Sequence, residues 1–186
     1  MLEKDPILGP LLLQHAISLP TPKQNLIHYL CSSILSQQLS TKVAAVILQR
    51  FLQLYGGSPP RPQQILDTHP EQLRSIGLSN AKTGYVQNVA RFALEHQLTD
   101  EQLYSLSDEE IIQLLTQIKG VGRWTVEMML LFGMGRPDVF APDDLGIQLS
   151  MIKLYGLDSS HKKQLVATLQ SIAEPWKPER SKACLL

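Results

Sequence analysis

Helical periodicity is the feature that most restricts what this chain can fold into. Apolar residues recur at three- and four-residue steps along most of its length. Two successive runs show the pattern: Leu26, Ile27, Leu30, Ile34 and Leu35, then Val43, Val46, Ile47, Phe51 and Leu54. No segment shows a persuasive alternation of apolar and polar side chains, which a half-buried β-strand would require. With 186 residues, of which 44% are hydrophobic, a sizeable core is possible, and the pattern predicts an all-α protein.

Capping residues predict where several helices begin. Ser79 precedes a long periodic run, and Ser107 is followed three residues later by Glu110, which is the spacing of a capping box. Asp143 and Asp144 together open a further helix. Either carboxylate has the reach to cap that helix, so the sequence leaves open which one does.

Charge and cysteine content exclude several classes of protein. The 17 basic and 17 acidic side chains give a formal net charge of zero, so a DNA-binding role must rest on local features. Cys31 and Cys184 are too few for a four-cysteine zinc or iron–sulfur site, and the five histidines lack ligand-like spacing. No apolar run approaches the roughly 20 residues of a membrane span, and no signal peptide is recognisable. We therefore expect a cytoplasmic or nuclear protein rather than a secreted one.

A Gly-x-Gly segment between two predicted helices departs from an ordinary linker. Gly120 and Gly122 allow two backbones to approach closely, and the amide N–H groups at the start of the second helix suit an anion. Lys119 and Arg123 flank the glycines, and residues 119–136 carry three basic side chains against one acidic. Taken alone, the tripeptide favours the simpler interpretation, a helix corner where glycine only relieves crowding, because short glycine motifs often match by chance.

The surroundings of the glycines carry a family resemblance. Residues 115–125, followed some 20 residues later by Pro142, Asp143 and Asp144, resemble the helix-hairpin-helix DNA glycosylases. Within that superfamily the chain is most similar to the alkylated-base (3-methyladenine) DNA glycosylases. Residues 34–40 and 176–183 also match, so the resemblance extends over most of the chain.

The resemblance implies a two-lobed helical architecture. One lobe would comprise residues 26–136 and contain the hairpin, and the second would combine residues 1–25 with residues 137–186 and carry the catalytic aspartate. A helix from residue 121 to about residue 134 is roughly 20 Å long, and the nine residues that follow can span about 30 Å. The chain is therefore long enough to return Asp144 to the hairpin end, facing a cleft between the lobes.

The resemblance also assigns the chemistry. Asp144 aligns with the catalytic carboxylate, which would stabilise positive charge at C1′ and orient or deprotonate a water molecule. Bifunctional relatives carry a nucleophilic lysine where this chain has Trp124, so the reaction is expected to be monofunctional and to leave an abasic site. Trp124 and Met128 would line the base pocket, Met128 standing where some relatives have a tyrosine. The alternative for Trp124 is core packing at a helix start.

Further residues are expected to contact DNA. Gln38 aligns with the side chain that fills the gap left by an extruded base, and its place in the matched motif favours this role over that of an ordinary exposed loop glutamine. The hairpin would bind the DNA backbone through Lys119, Gly120, Val121, Gly122, Arg123 and Thr125. Main-chain carbonyls of Thr116, Ile118 and Val121 would hold a monovalent cation, Na⁺ or K⁺. No iron–sulfur cluster is expected.

The function implied is excision of alkylated purines, of the 3-methyladenine type, from double-stranded DNA during base excision repair. The protein is expected to act as a monomer. Three alternatives remain open. The first is a non-catalytic helix-hairpin-helix protein that only binds DNA, and the second is a glycosylase for oxidised or mismatched bases. The third, a general helical interaction protein, leaves the paired motifs unexplained.

Overall fold

The computed structural model describes residues 2–186, which form helices and no β-strand. The prediction of an all-α protein is therefore confirmed. Twelve α-helices follow one another in this range: α1 (Leu8–Gln14), α2 (Leu26–Ser36), α3 (Thr41–Gln53), α4 (Pro62–Asp67), α5 (Pro70–Ser75), α6 (Asn80–Glu95), α7 (Asp100–Ser105), α8 (Asp108–Leu115), α9 (Arg123–Met128), α10 (Leu145–Tyr155), α11 (Lys162–Ala173) and α12 (Arg180–Leu185). None of them is long and apolar enough to span a membrane.

The chain divides into two compact units. The central unit is Lys23–Met129, and the terminal unit combines the chain up to Pro22 with Leu130–Leu186. In the central unit, α2 packs against α3 and α6, and α4 also packs against α6. The buried side chains of these helices form its core: Leu26, Leu30, Cys31, Ile34, Leu35, Phe51, Ile65, Val86, Val89 and Ala90.

The helix starts in the central unit follow the predicted caps. The Ser79 hydroxyl accepts a hydrogen bond from the N–H of Lys82 at the start of α6. Ser107 and Glu110 form the reciprocal capping box of α8. Both caps satisfy N–H groups that the first helical turn leaves without intrahelical acceptors.

The helix expected from residue 121 to about residue 134 is shorter than predicted. α9 ends at Met128, and a π-helical turn over Met129–Gly133 follows it. A π-helical turn closes hydrogen bonds one residue further along the chain than an α-helix does. No residue pattern in the segment marks this change, so periodicity alone could not have located it.

Asp5 joins three parts of the terminal unit. Its Oδ1 accepts hydrogen bonds from the N–H groups of Ile7 (2.9 Å) and Leu8 (2.8 Å) and from the Tyr155 hydroxyl (3.0 Å). Its Oδ2 accepts the indole N–H of Trp176 at 2.8 Å. Partial burial acts to raise the pKa of Asp5, but the four hydrogen bonds outweigh it and lower the pKa below its ordinary value.

We expect Asp5→Asn to destabilise the protein by about 1–2 kcal/mol at pH 7, because hydrogen bonds to a charged acceptor are lost. Since the folded-state pKa is lowered, the ionised Asp5 stabilises the fold above its unfolded pKa of about 3.9. That contribution disappears as the pH falls through the folded-state pKa. Urea denaturation of the wild type and the variant at pH 7 and pH 3 measures it, with the exposed Glu3→Gln as control. An equal difference in the free energy of unfolding between the wild type and Asp5→Asn at pH 7 and pH 3 would contradict the stabilising role of the ionised Asp5.

Candidate functional site

The hairpin lies in the central unit, between α8 and α9. The N–H of Val121 donates to the carbonyl of Ile118 at 3.0 Å and closes a four-residue turn. Gly120 is the third residue of this turn and has a φ of +106°, a backbone conformation that residues with a side chain rarely adopt. A Cβ atom at Gly120 would lie 2.2 Å from Cγ of Tyr85, a residue of α6. Glycine is thus required at position 120 both by the backbone conformation and by the contact with Tyr85.

Gly122 has a different environment from Gly120. It is the N-cap residue of α9, with φ −96° and ψ 167°, which other residues adopt readily. A Cβ atom at Gly122 would meet no heavy atom of the described chain within 4 Å. Open space next to the main chain at this point is what a ligand approaching the backbone requires.

The charges of the hairpin are partly neutralised by carboxylates. Nε of Arg123 lies 2.9 Å from Oε1 of Glu127, whose side chain is buried, and Nη2 of Arg123 lies 3.4 Å from Oε2 of Glu109. Glu109 comes from α8, outside the segment that the sequence marks as basic. Lys119 is exposed, and its carbonyl accepts a hydrogen bond from the Asn88 side chain at 3.1 Å.

α9 carries the residues predicted to line the base pocket. Trp124 is 38% exposed at the start of the helix, so core packing within the central unit accounts for only part of its surface. Met128, one turn further, is half-buried. Thr125 is only 3% exposed, and its hydroxyl accepts a hydrogen bond from Nε2 of Gln37 at 3.1 Å. The Thr125 side chain thus packs in the interior of the unit.

The turn between α2 and α3 presents Gln38. This residue is exposed and has a φ of +57°, although it is not a glycine. The turn is held by Lys82, whose Nζ donates to the carbonyls of Leu35 at 2.9 Å and Gln37 at 2.6 Å. Burial lowers the pKa of Lys82. Sequence reasoning missed Lys82, since the partners lie more than forty residues away and no motif links them.

Asp144 belongs to the terminal unit and is the N-cap residue of α10. Its Oδ1 accepts a hydrogen bond from the N–H of Ile147 at 3.1 Å. The interpretation in which Asp143 caps the helix and releases its neighbour is therefore wrong, because Asp144 occupies the N-cap position and its own side chain accepts the capping hydrogen bond. Asp143 is exposed. A Cβ atom at Gly146 would lie 3.1 Å from Oδ1 of Asp144, so the glycine leaves the room that the carboxylate occupies.

A pocket of about 420 Å³ in the terminal unit has Asp144 in its wall. Most of the lining is apolar and includes Phe140, Ile147, Met151, Leu154 and Trp176. The rings of Phe140 and Trp176 meet edge to face with centroids 6.0 Å apart. The indole of Trp176 is held in turn by Asp5. The candidate catalytic carboxylate therefore borders an apolar cavity with an aromatic wall.

The carbonyls predicted to bind a cation lie in the hairpin. The carbonyl of Ile118 accepts the turn hydrogen bond from Val121, and a carbonyl oxygen has a second lone pair available for another partner. Thr116 is the C-cap residue of α8 and is exposed. In the described part of the chain, no three histidine, cysteine, aspartate or glutamate side chains are grouped as a metal site would require. The donor set at the hairpin is thus one of neutral oxygens.

Comparisons with known proteins agree on one family. A family model described as "HhH-GPD superfamily base excision DNA repair protein" matches residues 31–177. The chain is 37% identical over 150 residues to DNA-3-methyladenine glycosylase 1 of Schizosaccharomyces pombe, covering 80% of this chain and 66% of that protein. It is 34% identical over 181 residues to the Saccharomyces cerevisiae DNA-3-methyladenine glycosylase, covering 89% of this chain and 61% of that protein. The chain thus spans less than two thirds of the length of these relatives.

A solved structure shows the same fold. The S. pombe 3-methyladenine DNA glycosylase Mag1, in complex with abasic DNA, superposes on this chain with a TM-score of 0.85 at 32% identity. The superposition covers 99% of this chain and 91% of the Mag1 chain.

The two hairpin glycines make a matched pair of substitutions. We expect Gly120→Ala to lower the free energy of unfolding by about 2–4 kcal/mol, because it adds a left-handed alanine and a clash with Tyr85. Gly122→Ala is expected to change it by less than about 1 kcal/mol, since its φ is ordinary and its surroundings are open. Chemical denaturation of both variants provides the comparison. Equal destabilisation by the two substitutions would show that the Gly120–Tyr85 contact does not constrain the hairpin.

Proposed function

The chain belongs to the HhH-GPD superfamily of base excision DNA repair proteins, and from that premise we propose that it is a monofunctional DNA glycosylase. Its substrates are alkylated purines of the 3-methyladenine type in double-stranded DNA, and its product is an abasic site. The observation that carries the proposal is the Asp144 carboxylate, which the N–H of Ile147 fixes at the start of α10. The names of the relatives support the substrate class.

The reaction needs a fixed negative charge more than it needs a strong acid. Breaking the N-glycosidic bond develops positive charge at C1′ of the sugar, and an alkylated purine is already cationic, so it leaves readily. The Asp144 carboxylate stabilises the developing charge and orients or deprotonates the attacking water. Because the N–H of Ile147 holds Oδ1, the carboxylate keeps its direction during the reaction. Trp124 has no amine, so no covalent enzyme–DNA intermediate forms at that position.

Two side chains of the central unit contact the DNA at the lesion: one stacks on the extruded base and the other fills the gap that it leaves. The exposed part of Trp124 stacks on the cationic base, an interaction worth about 0.5–2 kcal/mol. Gln38 enters the base stack and hydrogen-bonds the orphaned partner base. Met128 lies on the face of α9 one turn beyond Trp124 and adds an apolar contact.

The main chain of the hairpin binds the DNA backbone in this proposal. The N–H groups of Gly120 and Gly122, on either side of Val121, approach a phosphate, together with the main chain of Thr125 and the side chains of Lys119 and Arg123. Arg123 exchanges its contact with Glu109 for the phosphate. The carbonyls of Thr116, Ile118 and Val121 would hold a Na⁺ or K⁺ ion, which supplies positive charge next to that phosphate. The protein acts as a monomer where DNA is found, in a bacterial cytoplasm or a nucleus.

The Asp144→Asn variant tests the enzyme assignment directly. We expect the wild type to release methylated purines from randomly methylated DNA, and Asp144→Asn to release them at least about 10²-fold more slowly, because the fixed negative charge is gone. Chromatography of the released bases gives the rates. The control is Asp143→Asn, which removes the neighbouring exposed carboxylate and should leave the rate within about twofold, as surface changes do.

Binding measurements separate the alternatives. Affinity for an unmodified duplex should be the same in Asp144→Asn and the wild type. If the wild type binds duplex DNA but releases nothing, the protein is a DNA-binding module without catalysis. Release of oxidised guanine or uracil, and not of methylated purines, would instead contradict the proposed substrate class.

Gly146→Ala should separate stability from activity. Alanine in place of glycine within a helix favours the fold by up to about 1 kcal/mol, yet its Cβ displaces the Asp144 carboxylate by a few tenths of an ångström. We expect unchanged or higher thermal stability with base release slowed about tenfold, since small misplacements of catalytic groups are costly. Gly84→Ala in α6, where a Cβ meets nothing within 4 Å, is the control and should leave the rate unchanged. An unaltered rate in Gly146→Ala would contradict the positioning role.

A further inference from the structure

We propose that Lys82 is a positioning residue for Gln38: its ammonium group holds the turn between α2 and α3 in the conformation that presents the Gln38 side chain. The proposal rests on the proposed function, because it takes Gln38 as the residue that fills the gap in the DNA. It adds a positioning role within the central unit for Lys82, a side chain that itself makes no contact with DNA.

The contacts of Lys82 stabilise the end of a helix. α2 ends at Ser36, and the carbonyls of a last helical turn have no intrahelical donors. Nζ of Lys82 donates to two carbonyls there, those of Leu35 at 2.9 Å and Gln37 at 2.6 Å. A cation at this place also interacts favourably with the negative end of the helix dipole. The ammonium therefore fixes the backbone on the amino-terminal side of Gln38.

Gln38 needs such support because its backbone is strained. A φ of +57° is unfavourable for a residue with a side chain relative to its ordinary conformations. Left without tethers, the turn would relax toward a conformation with negative φ and redirect the side chain. Non-glycine residues persist in the left-handed region when surrounding contacts over-determine them, and they concentrate at functional sites.

A second tether reaches the same turn from α9. Nε2 of Gln37 donates to the buried hydroxyl of Thr125 at 3.1 Å, and Thr125 follows Trp124 in the sequence. Lys82 thus holds the carbonyl of Gln37, and Thr125 holds its side chain. The position of Gln38 is thereby coupled to the helix that carries the proposed base-stacking tryptophan.

α6 supports the hairpin as well as the turn. Lys82, Tyr85 and Asn88 follow one another at three-residue spacing and so share one face of the helix. Tyr85 packs against Gly120, and Asn88 donates to the carbonyl of Lys119. Ser79 caps this helix through the N–H of Lys82 itself, which fixes the backbone from which the lysine extends.

The experiment compares two lysines close to the same turn. Lys82→Met removes the ammonium that holds the carbonyls, whereas Lys42→Met removes an exposed ammonium at the start of α3. Lys82→Arg keeps the charge and the donors and should restore most of the wild-type behaviour. Gln37→Leu removes the second tether without a change in charge, and so tests the same turn if Lys82→Met fails to fold.

Amide hydrogen exchange without DNA is the first measurement. We expect exchange of the N–H groups of Gln37 and Leu39, which donate to the carbonyls of Ile34 and Ser36, to become at least tenfold faster in Lys82→Met and to stay unchanged in Lys42→Met. Exchange that is unchanged in Lys82→Met would overturn the proposal. Because no substrate is present, this result stands even if the proposed function fails.

The second measurement uses a duplex with one 1,N6-ethenoadenine, whose fluorescence rises when it leaves the base stack. At saturating protein, Lys82→Met should extrude and excise this base about tenfold less than the wild type, with Lys82→Arg close to wild type. Affinity for an unmodified duplex and its salt dependence should not change. A fall in that affinity, together with a decrease of about one in the slope of log affinity against log salt concentration, would show instead that Lys82 contacts a phosphate. If the wild type excises neither this base nor a methylated purine, the proposed function fails and the exchange result alone decides the role of Lys82.

Discussion

One face of α6 supports both turns of the central unit that are proposed to contact DNA. The ring of Tyr85 packs so closely against Gly120 that no other residue fits there, and this contact fixes the path of the hairpin into α9. One turn earlier on the same face, Lys82 fixes the end of α2 and the strained backbone at Gln38. The side chains that would enter the base stack and stack on the extruded base thus depend on one helix for their positions.

Two aspartates of the terminal unit have surroundings that suit different roles, a structural role for Asp5 and the proposed catalytic role for Asp144. Asp5 accepts four hydrogen bonds, which tie the first residues of the chain to Tyr155 and Trp176. Asp144 caps α10 through Oδ1 and lies in the wall of an apolar pocket. Capping and catalysis are compatible at Asp144, because the cap holds the carboxylate in one direction. A fixed charge next to an apolar wall is what stabilisation of a cationic transition state requires.

How much of the structure could be predicted from the sequence depends on how far apart in the chain the interacting residues lie. The caps at Ser79 and Ser107, and the turn at Gly120, depend on residues a few positions apart, so the sequence alone located them. The contacts of Lys82, the Gln37–Thr125 hydrogen bond and the four donors to Asp5 join residues that are distant in the chain, and no local pattern marks them. The capping residue of α10 was undecided because Asp143 and Asp144 are chemically identical, and only the backbone path selects between them. The ion pair of Arg123 with Glu109 on α8 likewise required the fold, whereas its i,i+4 partner Glu127 lies one turn away on the same helix.

The central claim is that the charge of Asp144 stabilises positive charge on the deoxyribose. It is tested most directly by binding to two duplexes that differ in one synthetic abasic nucleotide, a cationic pyrrolidine in one and a neutral tetrahydrofuran in the other. The account predicts that the wild type binds the cationic duplex at least about tenfold more tightly than the neutral one, and that Asp144→Asn binds both equally. The same preference for the cationic duplex in both proteins would contradict the account, since the discrimination would then arise elsewhere.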